Sequence, residues 1–481
     1  MLALCFPFVS VKPFRPRAVR FNPVPKRSFM TAVLVFCILS LFLVLGKFLR
    51  VFIPLLQKLY LPSSIIGGAA ALIVFRCFPG LVPSDVVSAI GKLPGFLINI
   101  VFAGLFLGVT SPKFSRMIAV AFPQLCFSQF IAWGQYVIGL GLTGFVLMPL
   151  FGLSPAFGNL LEIGFEGGHG TVGGMSSVFE KYDWSDGIAL GYTVATVGMI
   201  IAIIIGMVLV NWANRRGHVQ GFMPLEDMDR LHLKGIYRRR EQPSAGRQTV
   251  LCDSVDSLAW HCALIGAAVA IGYAILFVCQ HLETAAFPKA SIRIFSGFPL
   301  FPLCMIGGLI IQHAFQRLRI APLINGDQMK RISGASRDYL VVSAIATIRI
   351  EVVLQNWLPL LILIGSGALL SVLMVLFVAP RLFRDAWFER AIADFGQSLG
   401  VTATGLLLLR TVDPENKTDA ASAFGYKQLL HEPFMGGGIV TALALTLVFT
   451  IGWLKVFIVS AVFFLFWGIL IGTIIVRNRK R

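Results

Sequence analysis

Long apolar stretches dominate this sequence and constrain its fold more than any other feature. Of its 481 residues, 57% are hydrophobic and only 13% are charged, whereas a soluble domain carries about a quarter charged residues. A soluble protein of this size would need a charged shell that this composition does not supply, while lipid solvates apolar side chains directly. The composition therefore predicts an all-α integral membrane protein.

Eleven apolar stretches approach or exceed the roughly 20 residues that a membrane-spanning helix needs. Five lie before a polar central segment and six after it, and they cover about 30–50, 61–78, 93–110, 117–150, 187–210, 258–280, 297–314, 338–355, 356–379, 434–453 and 456–476. The first 28 residues are basic and rich in proline. Because they lack the charge order and cleavage site of a secretory signal, we expect a disordered arm there.

The basic residues indicate how the helices are oriented. The central segment, 211–257, holds many of them and is placed in the cytoplasm by the positive-inside rule. The basic loops near Arg50, Arg337 and Arg384 then lie on the same side. The basic C-terminal tail joins them only if the last apolar stretch forms two helices that turn near Lys455. Five helices before a cytoplasmic segment place the N-terminal arm outside.

An odd number of helices before the central segment predicts two halves of opposite orientation, as in secondary transporters. A short motif supports the duplication: Pro62 is followed five residues later by a diglycine, and so is Pro302. The predicted organisation is an arm (1–28), a first membrane repeat (29–210), a cytoplasmic linker (211–257), a second membrane repeat (258–455) and an added C-terminal helix with a basic tail (456–481).

Each half also contains a segment rich in glycine and threonine where a spanning helix should not continue. These segments are 162–174 and 394–405. Glycine runs interrupt helices, and a broken backbone at membrane depth is tolerated only where it is buried in protein or lines a polar cavity. The sequence therefore predicts two re-entrant loops that enter from opposite faces and meet near the middle of the bilayer. Gly168 or Gly170 aligns equally well with Gly400.

These two loops supply the candidate binding residues. Freed N–H groups suit a carboxylate substrate, while freed carbonyls and hydroxyls suit a sodium ion. The candidate substrate-binding residues are Gly167, Gly168, His169, Gly170, Thr171, Ser398, Gly400, Thr402 and Thr404. The candidate sodium-binding residues are Glu166, Thr171, Gln397 and Thr402. The alternative, that the glycines only allow close helix packing, does not explain the charged and hydroxyl residues between them.

Other classes of function are less consistent with the sequence. The formal charge of +18 sits in short groups between apolar runs, with no nucleic-acid-binding motif. The eight cysteines are scattered, which argues against a disulfide framework or a zinc site. A membrane-embedded enzyme would use His169 and a nearby carboxylate, but the HExxH and GxSxG motifs are absent. No cofactor is expected, and no metal beyond sodium.

The first loop and its surroundings resemble a known family. The run 167–171, GGHGT, followed by Phe179-Glu-Lys-Tyr182, closely resembles the signature of the bacterial sodium/glutamate symporter family. The stretches 135–141, 153–155 and 61–68 fit the same family, and 396–404 resembles its second loop. The resemblance covers about residues 30–455. It implies an inverted-repeat fold with two re-entrant loops, a homodimer in the plasma (inner) membrane, and sodium-driven glutamate uptake by an elevator-type motion.

The chain departs from the family pattern at several positions. Glu166 stands where the family has a small or hydroxyl residue, and Glu162 lies one helical turn before it. The stretch 431–438, HEPFMGGG, is also unusual. A related carboxylate is therefore as good a candidate substrate as glutamate. A proton- or sodium-coupled exchanger that uses Glu162, Glu166 and Asp394 is the alternative.

Overall fold

The computed structural model describes residues 26–59, 61–109, 114–219, 234–286, 288, 295, 298–414 and 417–479. Within these ranges the secondary structure is helical and contains no strand, which confirms the all-α class. Most of the predicted N-terminal arm, and residues 220–233 of the predicted linker, lie outside the described residues.

The helices of the first half are α1 (Lys26–Phe52), α2 (Ser63–Cys77), α3 (Ser84–Gly104), α4 (Phe114–Leu142), α5 (Leu160–Phe165), α6 (Gly168–Gly174), α7 (Ser176–Lys181) and α8 (Asp186–Arg215). Those of the second half are α9 (Ser257–Ala286), α10 (Phe301–Arg317), α11 (Gly326–Ala346), α12 (Ile350–Gln355), α13 (Trp357–Leu373), α14 (Trp387–Val412), α15 (Ala420–His431), α16 (Ile439–Ile451) and α17 (Trp453–Arg479). Among the described residues, eight helices are long and apolar enough to cross a membrane, and α2 and α16 are shorter apolar helices. The chain is thus a multi-pass membrane protein.

The predicted span 338–355 is displaced from the helix that the structure contains. The helix α11 begins twelve residues earlier, at Gly326, and ends at Ala346, after which α12 forms a separate short helix. Hydropathy misses the first part of α11 because that part is charged. Arg337 and Asp338 border an internal cavity, where charged side chains are solvated without contact with lipid.

The last apolar stretch forms two helices, as the basic tail requires. The helix α16 ends at Ile451, and α17 begins at Trp453. The turn between them is at Gly452, whose φ is +93°, three residues before the predicted turn at Lys455. Glycine adopts this left-handed conformation without steric cost, so one residue is enough to separate the two helices.

The diglycines of α2 and α10 make equivalent contacts in the two halves. A Cβ atom on Gly67 would lie 2.3 Å from the carbonyl oxygen of Phe42 in α1, and one on Gly307 would lie 2.1 Å from that of Ala268 in α9. The second glycine of each pair packs on the opposite half: Gly68 against α11 and Gly308 against α3. Small residues let these backbones approach closely, as an inverted repeat predicts.

A second correspondence lies farther along each half. The helix α4 continues into a π-helical turn, Thr143–Leu147, and then into the proline-containing Met148–Phe151. The helix α13 continues in the same way through Met374–Val378 and Ala379–Leu382. A π-helical turn is rare and frequently marks a functional site. It occurs in both halves just before the glycine-rich segment.

The helices form two groups that meet at the glycine-rich segments. The helices α1, α2 and α3 pack with α9, α10 and α11, while α4, α5, α6 and α8 pack with α13 to α17. The main seam between the groups joins α3 to α6. There a Cβ atom on Gly95 would lie 3.0 Å from the carbonyl oxygen of Gly173, so the two backbones approach directly.

These contacts give a test of the helix packing. Gly67→Val and Gly307→Val place side-chain atoms against backbone carbonyls, so each should lower the free energy of unfolding by about 1–3 kcal/mol or more. Gly266→Val is the matched control, since a Cβ atom on this helical glycine would meet nothing within 4 Å. Thermal unfolding in detergent measures the difference. Equal stability of all three variants would contradict the packing described.

Candidate functional site

The first glycine-rich segment breaks between α5 and α6. At this break Gly168 has a φ of +67°, a conformation that favours glycine. A Cβ atom on Gly168 would lie 2.5 Å from Cγ1 of Val401, which belongs to the second glycine-rich segment. The tips of the two segments are therefore in contact. Gly168, rather than Gly170, meets the second segment next to Gly400.

The second segment is a helical hairpin, although α14 has the length and composition of a spanning helix. Gly400 and Val401 leave helical geometry, with φ values of −147° and +61°. A Cβ atom on Gly396 would lie 2.7 Å from the Cα of Gly405, whereas nine residues of straight helix span about 13.5 Å. The chain therefore turns back at its tip, as a re-entrant loop requires.

The glycines after His169 pack on neighbouring helices. A Cβ atom on Gly170 would lie 2.4 Å from Cδ1 of Ile98 in α3, and one on Gly173 would lie 2.5 Å from Pro94 in the same helix. At Gly170 and Gly173 the alternative interpretation applies, in which glycine allows close packing of helices. The loop interpretation applies to Gly168 at the tip.

A third break of the backbone completes the site. Between α15 and α16 the chain passes through 432–438, where Gly436 and Gly437 have φ values of +66° and +109°. The Gly436 amide donates to Glu162 Oε1 at 2.9 Å, and the Thr171 hydroxyl donates to the Gly436 carbonyl at 3.4 Å. The sequence marked this stretch as unusual but did not assign it to the site. Its signal was the triple glycine 436–438, which begins three residues after Pro433.

Glu162 holds this third break against the first loop. Its carboxylate accepts hydrogen bonds from the Tyr136 hydroxyl at 2.6 Å, the Thr441 hydroxyl at 2.8 Å and the Gly436 amide. The side chain is fully buried, so these donors replace the water that it would otherwise need. Glu162 does not border the internal cavity. It joins α4, α5 and α16 at the point where the backbone is broken.

Two further pairs of buried ionisable side chains each include one residue of α15. His431 Nε2 lies 2.9 Å from Glu166 Oε2, and one helical turn earlier Lys427 Nζ lies 2.9 Å from Asp394 Oδ1. We call Glu162, Glu166, Asp394, Lys427 and His431 the charge cluster. It contains three carboxylates and, beside the titratable His431, one cationic side chain. Because buried charge is costly unless it is compensated, each of these carboxylates depends on the hydrogen-bond donors or the cation beside it.

The tip of the second loop is held by hydrogen bonds from three helices. The Thr402 hydroxyl donates to Glu432 Oε1 at 2.8 Å, and the Gln428 amide group reaches the same pair. Gln135 of α4 donates to the Ser398 carbonyl at 2.7 Å, and the Thr404 hydroxyl donates to the Gly400 carbonyl. The freed backbone groups at this tip are thus partly satisfied by side chains, as the membrane interior requires.

An internal cavity of about 440 Å³ reaches both loops and the third break. From the sequence-predicted set it is lined by Glu166, Gly167, His169, Gly170, Thr402 and Thr404. From outside that set it is lined, among others, by Arg50, Arg337, Asp338, Val401, Ala403, Glu432 and Gly436. His169 is held there by the Thr196 hydroxyl, 2.8 Å from Nε2. The cavity therefore carries charges of both signs.

The remaining candidates lie behind the cavity wall. Gly168, Thr171, Gln397, Ser398 and Gly400 do not border it. The four candidate sodium-binding residues have separate partners: His431 for Glu166, Gly167 and Gly436 for Thr171, Lys427 for Gln397, and Glu432 for Thr402. Of the four, only Glu166 and Thr402 face the cavity. In the described part of the chain, no group of three His, Cys, Asp or Glu side chains is arranged to hold a metal ion.

The contact between the loop tips gives a second test. Gly168→Ala should cost the strain of a left-handed alanine, about 1–2 kcal/mol, plus about 1–3 kcal/mol for overpacking against Val401. Gly152→Ala is the matched control, because Gly152 has a φ of +65° but a Cβ atom there would meet nothing within 4 Å. Thermal unfolding of both variants measures the two costs.

The same substitutions in a Val401→Ala background isolate the contact. Gly168→Ala should then cost no more than Gly152→Ala, since the clashing Cγ1 atom is gone. If the extra cost of Gly168→Ala persists without the Val401 side chain, the two tips do not meet as described.

Comparison with known proteins places this arrangement in a family. None of the curated proteins searched matches the chain. A family model described as sodium/glutamate symporter matches residues 29–413. The match includes both glycine-rich segments and ends just after α14, so the third break and its helices α15 and α16 lie beyond it. The chain belongs to the sodium/glutamate symporter family.

Proposed function

We propose that this protein is a sodium-coupled symporter for glutamate or a related carboxylate, and that it binds substrate and ion in the cavity between its two re-entrant loops. Sodium/glutamate symport is the activity of the family. The observation that carries the location is that residues from both loop tips, Gly167 and Thr402 among them, border one cavity. A transporter needs no chemical step, so we assign no catalytic residue.

The cavity suits a small zwitterion with an additional carboxylate. Its volume of about 440 Å³ falls in the usual range for small-molecule sites, about 300–1,000 Å³. Arg337 can attract a carboxylate, while Glu166 and Glu432 can receive an ammonium group. The acidic side chains at the tips disfavour a plain dianion at that end. An amino acid with an acidic side chain is therefore a better substrate than a simple dicarboxylate.

The coupling cation would enter on the cavity side of Glu166. This carboxylate borders the cavity and its hydrogen-bonded partner is the His431 ring. Sodium prefers oxygen ligands, and the carbonyl groups freed at broken helices are the usual complement of a carboxylate in such sites. Binding of the ion supplies the positive charge that the cluster lacks. Binding of the ion and binding of the substrate would then favour each other, which is the condition for symport.

We infer that the cavity opens toward the end of the molecule that we assign to the cytoplasm. Arg50 and Arg337, both predicted to lie on the basic cytoplasmic side, are part of its lining. At the seam between α3 and α6, glycines of α6 lie directly against the backbone of Gly95 and the side chains of Pro94 and Ile98. We propose that the group containing both loops slides along this seam in an elevator-type motion. The homodimer and the repeat boundaries remain predictions from the sequence.

The exchanger alternative is supported by the burial of Glu162, Glu166 and Asp394, since intramembrane carboxylates often carry protons. In it, protons rather than sodium would compensate the cluster. The two mechanisms differ in the gradient that drives uptake.

Uptake by purified protein in proteoliposomes tests the proposal. An inward sodium gradient should stimulate accumulation of labelled glutamate several-fold over an equal potassium gradient. Glu166→Gln should weaken the sodium dependence, because it removes the anionic ligand at the cavity wall. Glu180→Gln, on an exposed side chain, is the matched control and should leave uptake unchanged.

Two results would contradict the proposal. A folded protein without sodium-stimulated glutamate uptake would remove the substrate assignment. Uptake driven by a pH gradient in the absence of sodium would favour the exchanger.

A further inference from the structure

Lys427 is a fully buried lysine that neither the family match nor the proposed substrate site explains. It lies on α15, beyond the matched residues 29–413, and it does not border the cavity. Its side chain is completely shielded from solvent. An ammonium group at such a position is costly unless its surroundings compensate it.

The surroundings of Lys427 resemble those of a bound cation. Its Nζ atom lies 2.9 Å from Asp394 Oδ1 and donates to Gln397 Oε1. It also lies 4.5 Å from the centroid of the Phe424 ring, a favourable position for a cation. Asp394 and Gln397 both belong to the first arm of the re-entrant hairpin α14. The ammonium group therefore lies against the second loop, in contact with side-chain oxygen atoms of its first arm.

Helix α4 adds further oxygen atoms beside the same carboxylate. Gln124 donates through its nitrogen to Asp394 Oδ2 at 2.6 Å, while its Oε1 atom is buried without a hydrogen-bond partner. One turn along α4, the buried Ser128 hydroxyl lies beside the same carboxylate and hydrogen-bonds to it. Buried polar atoms normally have partners. Carboxylate, amide and hydroxyl oxygens are the ligands that a dehydrated alkali cation takes in place of water.

We propose that Lys427 is a tethered cation that occupies an ion site at the second re-entrant loop, so that this loop binds no exchangeable sodium while the lysine is present. The inference deepens the proposed function and rests on sodium being the coupling ion there. It assigns the exchangeable cation to Glu166 on the cavity side of the first loop. The Asp394 site keeps its charge compensated in every state of the transport cycle.

This assignment changes the role of Gln397. The sequence predicted it as a sodium ligand, and in the structure its side-chain oxygen accepts from the Lys427 ammonium. It remains a cation ligand, but its cation is part of the chain. The two loops are then unequal in function although related in sequence: the first exchanges its ion and the second does not.

Removal of the lysine side chain should convert the tethered site into a free one. Lys427→Met keeps much of the chain length but leaves Asp394 without its cation. We expect the unfolding temperature of purified Lys427→Met to rise more steeply with sodium chloride than that of the unsubstituted protein, by an amount that potassium or choline chloride does not reproduce. Binding to the folded state stabilises it by mass action.

Two further variants serve as controls. Lys455→Met makes the same replacement at an exposed lysine and should give the unsubstituted sodium response. Asp394→Asn combined with Lys427→Met removes both charges, so the additional sodium response should disappear while the ordinary response remains. A purely structural role for Lys427 would leave the sodium response of Lys427→Met equal to that of the unsubstituted protein.

The outcomes separate this inference from the proposed function. The inference is overturned if folded Lys427→Met responds to sodium as the unsubstituted protein does. If Lys427→Met does not fold in any salt, the sodium response of the Asp394→Asn, Lys427→Met double variant is compared with that of the unsubstituted protein. An equal response supports the inference. Loss of the response shows that the pair belongs to the exchanged-ion site and overturns the inference. Absence of sodium-dependent glutamate uptake in the unsubstituted protein would instead refute the proposed function.

Discussion

The hydrogen bonds of Glu162 are the interaction on which the rest of the site depends. A helix broken at membrane depth exposes backbone groups that lipid cannot satisfy, and this protein has three such breaks in one place. Glu162 accepts from the Gly436 amide at one break and lies one helical turn before the next. Tyr136 and Thr441 fix the orientation of the carboxylate. Because Glu162 provides these hydrogen bonds at the breaks, the neighbouring Glu166 carboxylate is not needed for them, and it borders the cavity.

Charge compensation follows from the same geometry. The two pairs on α15 are adjacent because Lys427 and His431 are one helical turn apart, yet they face different surroundings. The pair of Glu166 and His431 reaches the cavity through Glu166, whereas the pair of Asp394 and Lys427 is enclosed. An enclosed charge keeps its partner, while a charge at a cavity can exchange one. In our proposal, this difference in burial gives the protein one exchangeable and one tethered cation.

Much of this arrangement could be predicted from the sequence. Glycine-rich segments with interleaved hydroxyl and charged residues identified both loops, and the matching prolines and diglycines of α2 and α10 indicated the duplication. The third break could not be assigned in the same way. It has no counterpart at an equivalent position of the first half, where α8 is continuous, and the partners of Gly436 are more than 250 residues away in sequence. The start of α11 was missed because its first turns carry the exposed Asp327 and Lys330, and Arg337 at the cavity, so average hydropathy is low there.

The central claim, that the two loops enclose the site for substrate and ion, is tested most directly by the accessibility of Ala403. This residue follows the tip of the second loop, is exposed and borders the cavity. In a background without the native cysteines, a membrane-impermeant thiol reagent applied from the cytoplasmic side should modify Ala403→Cys. Glutamate together with sodium should slow that reaction several-fold, and should leave unchanged the reaction of Asn214→Cys, at the exposed end of α8. An Ala403→Cys reaction rate that glutamate and sodium do not alter would contradict the account.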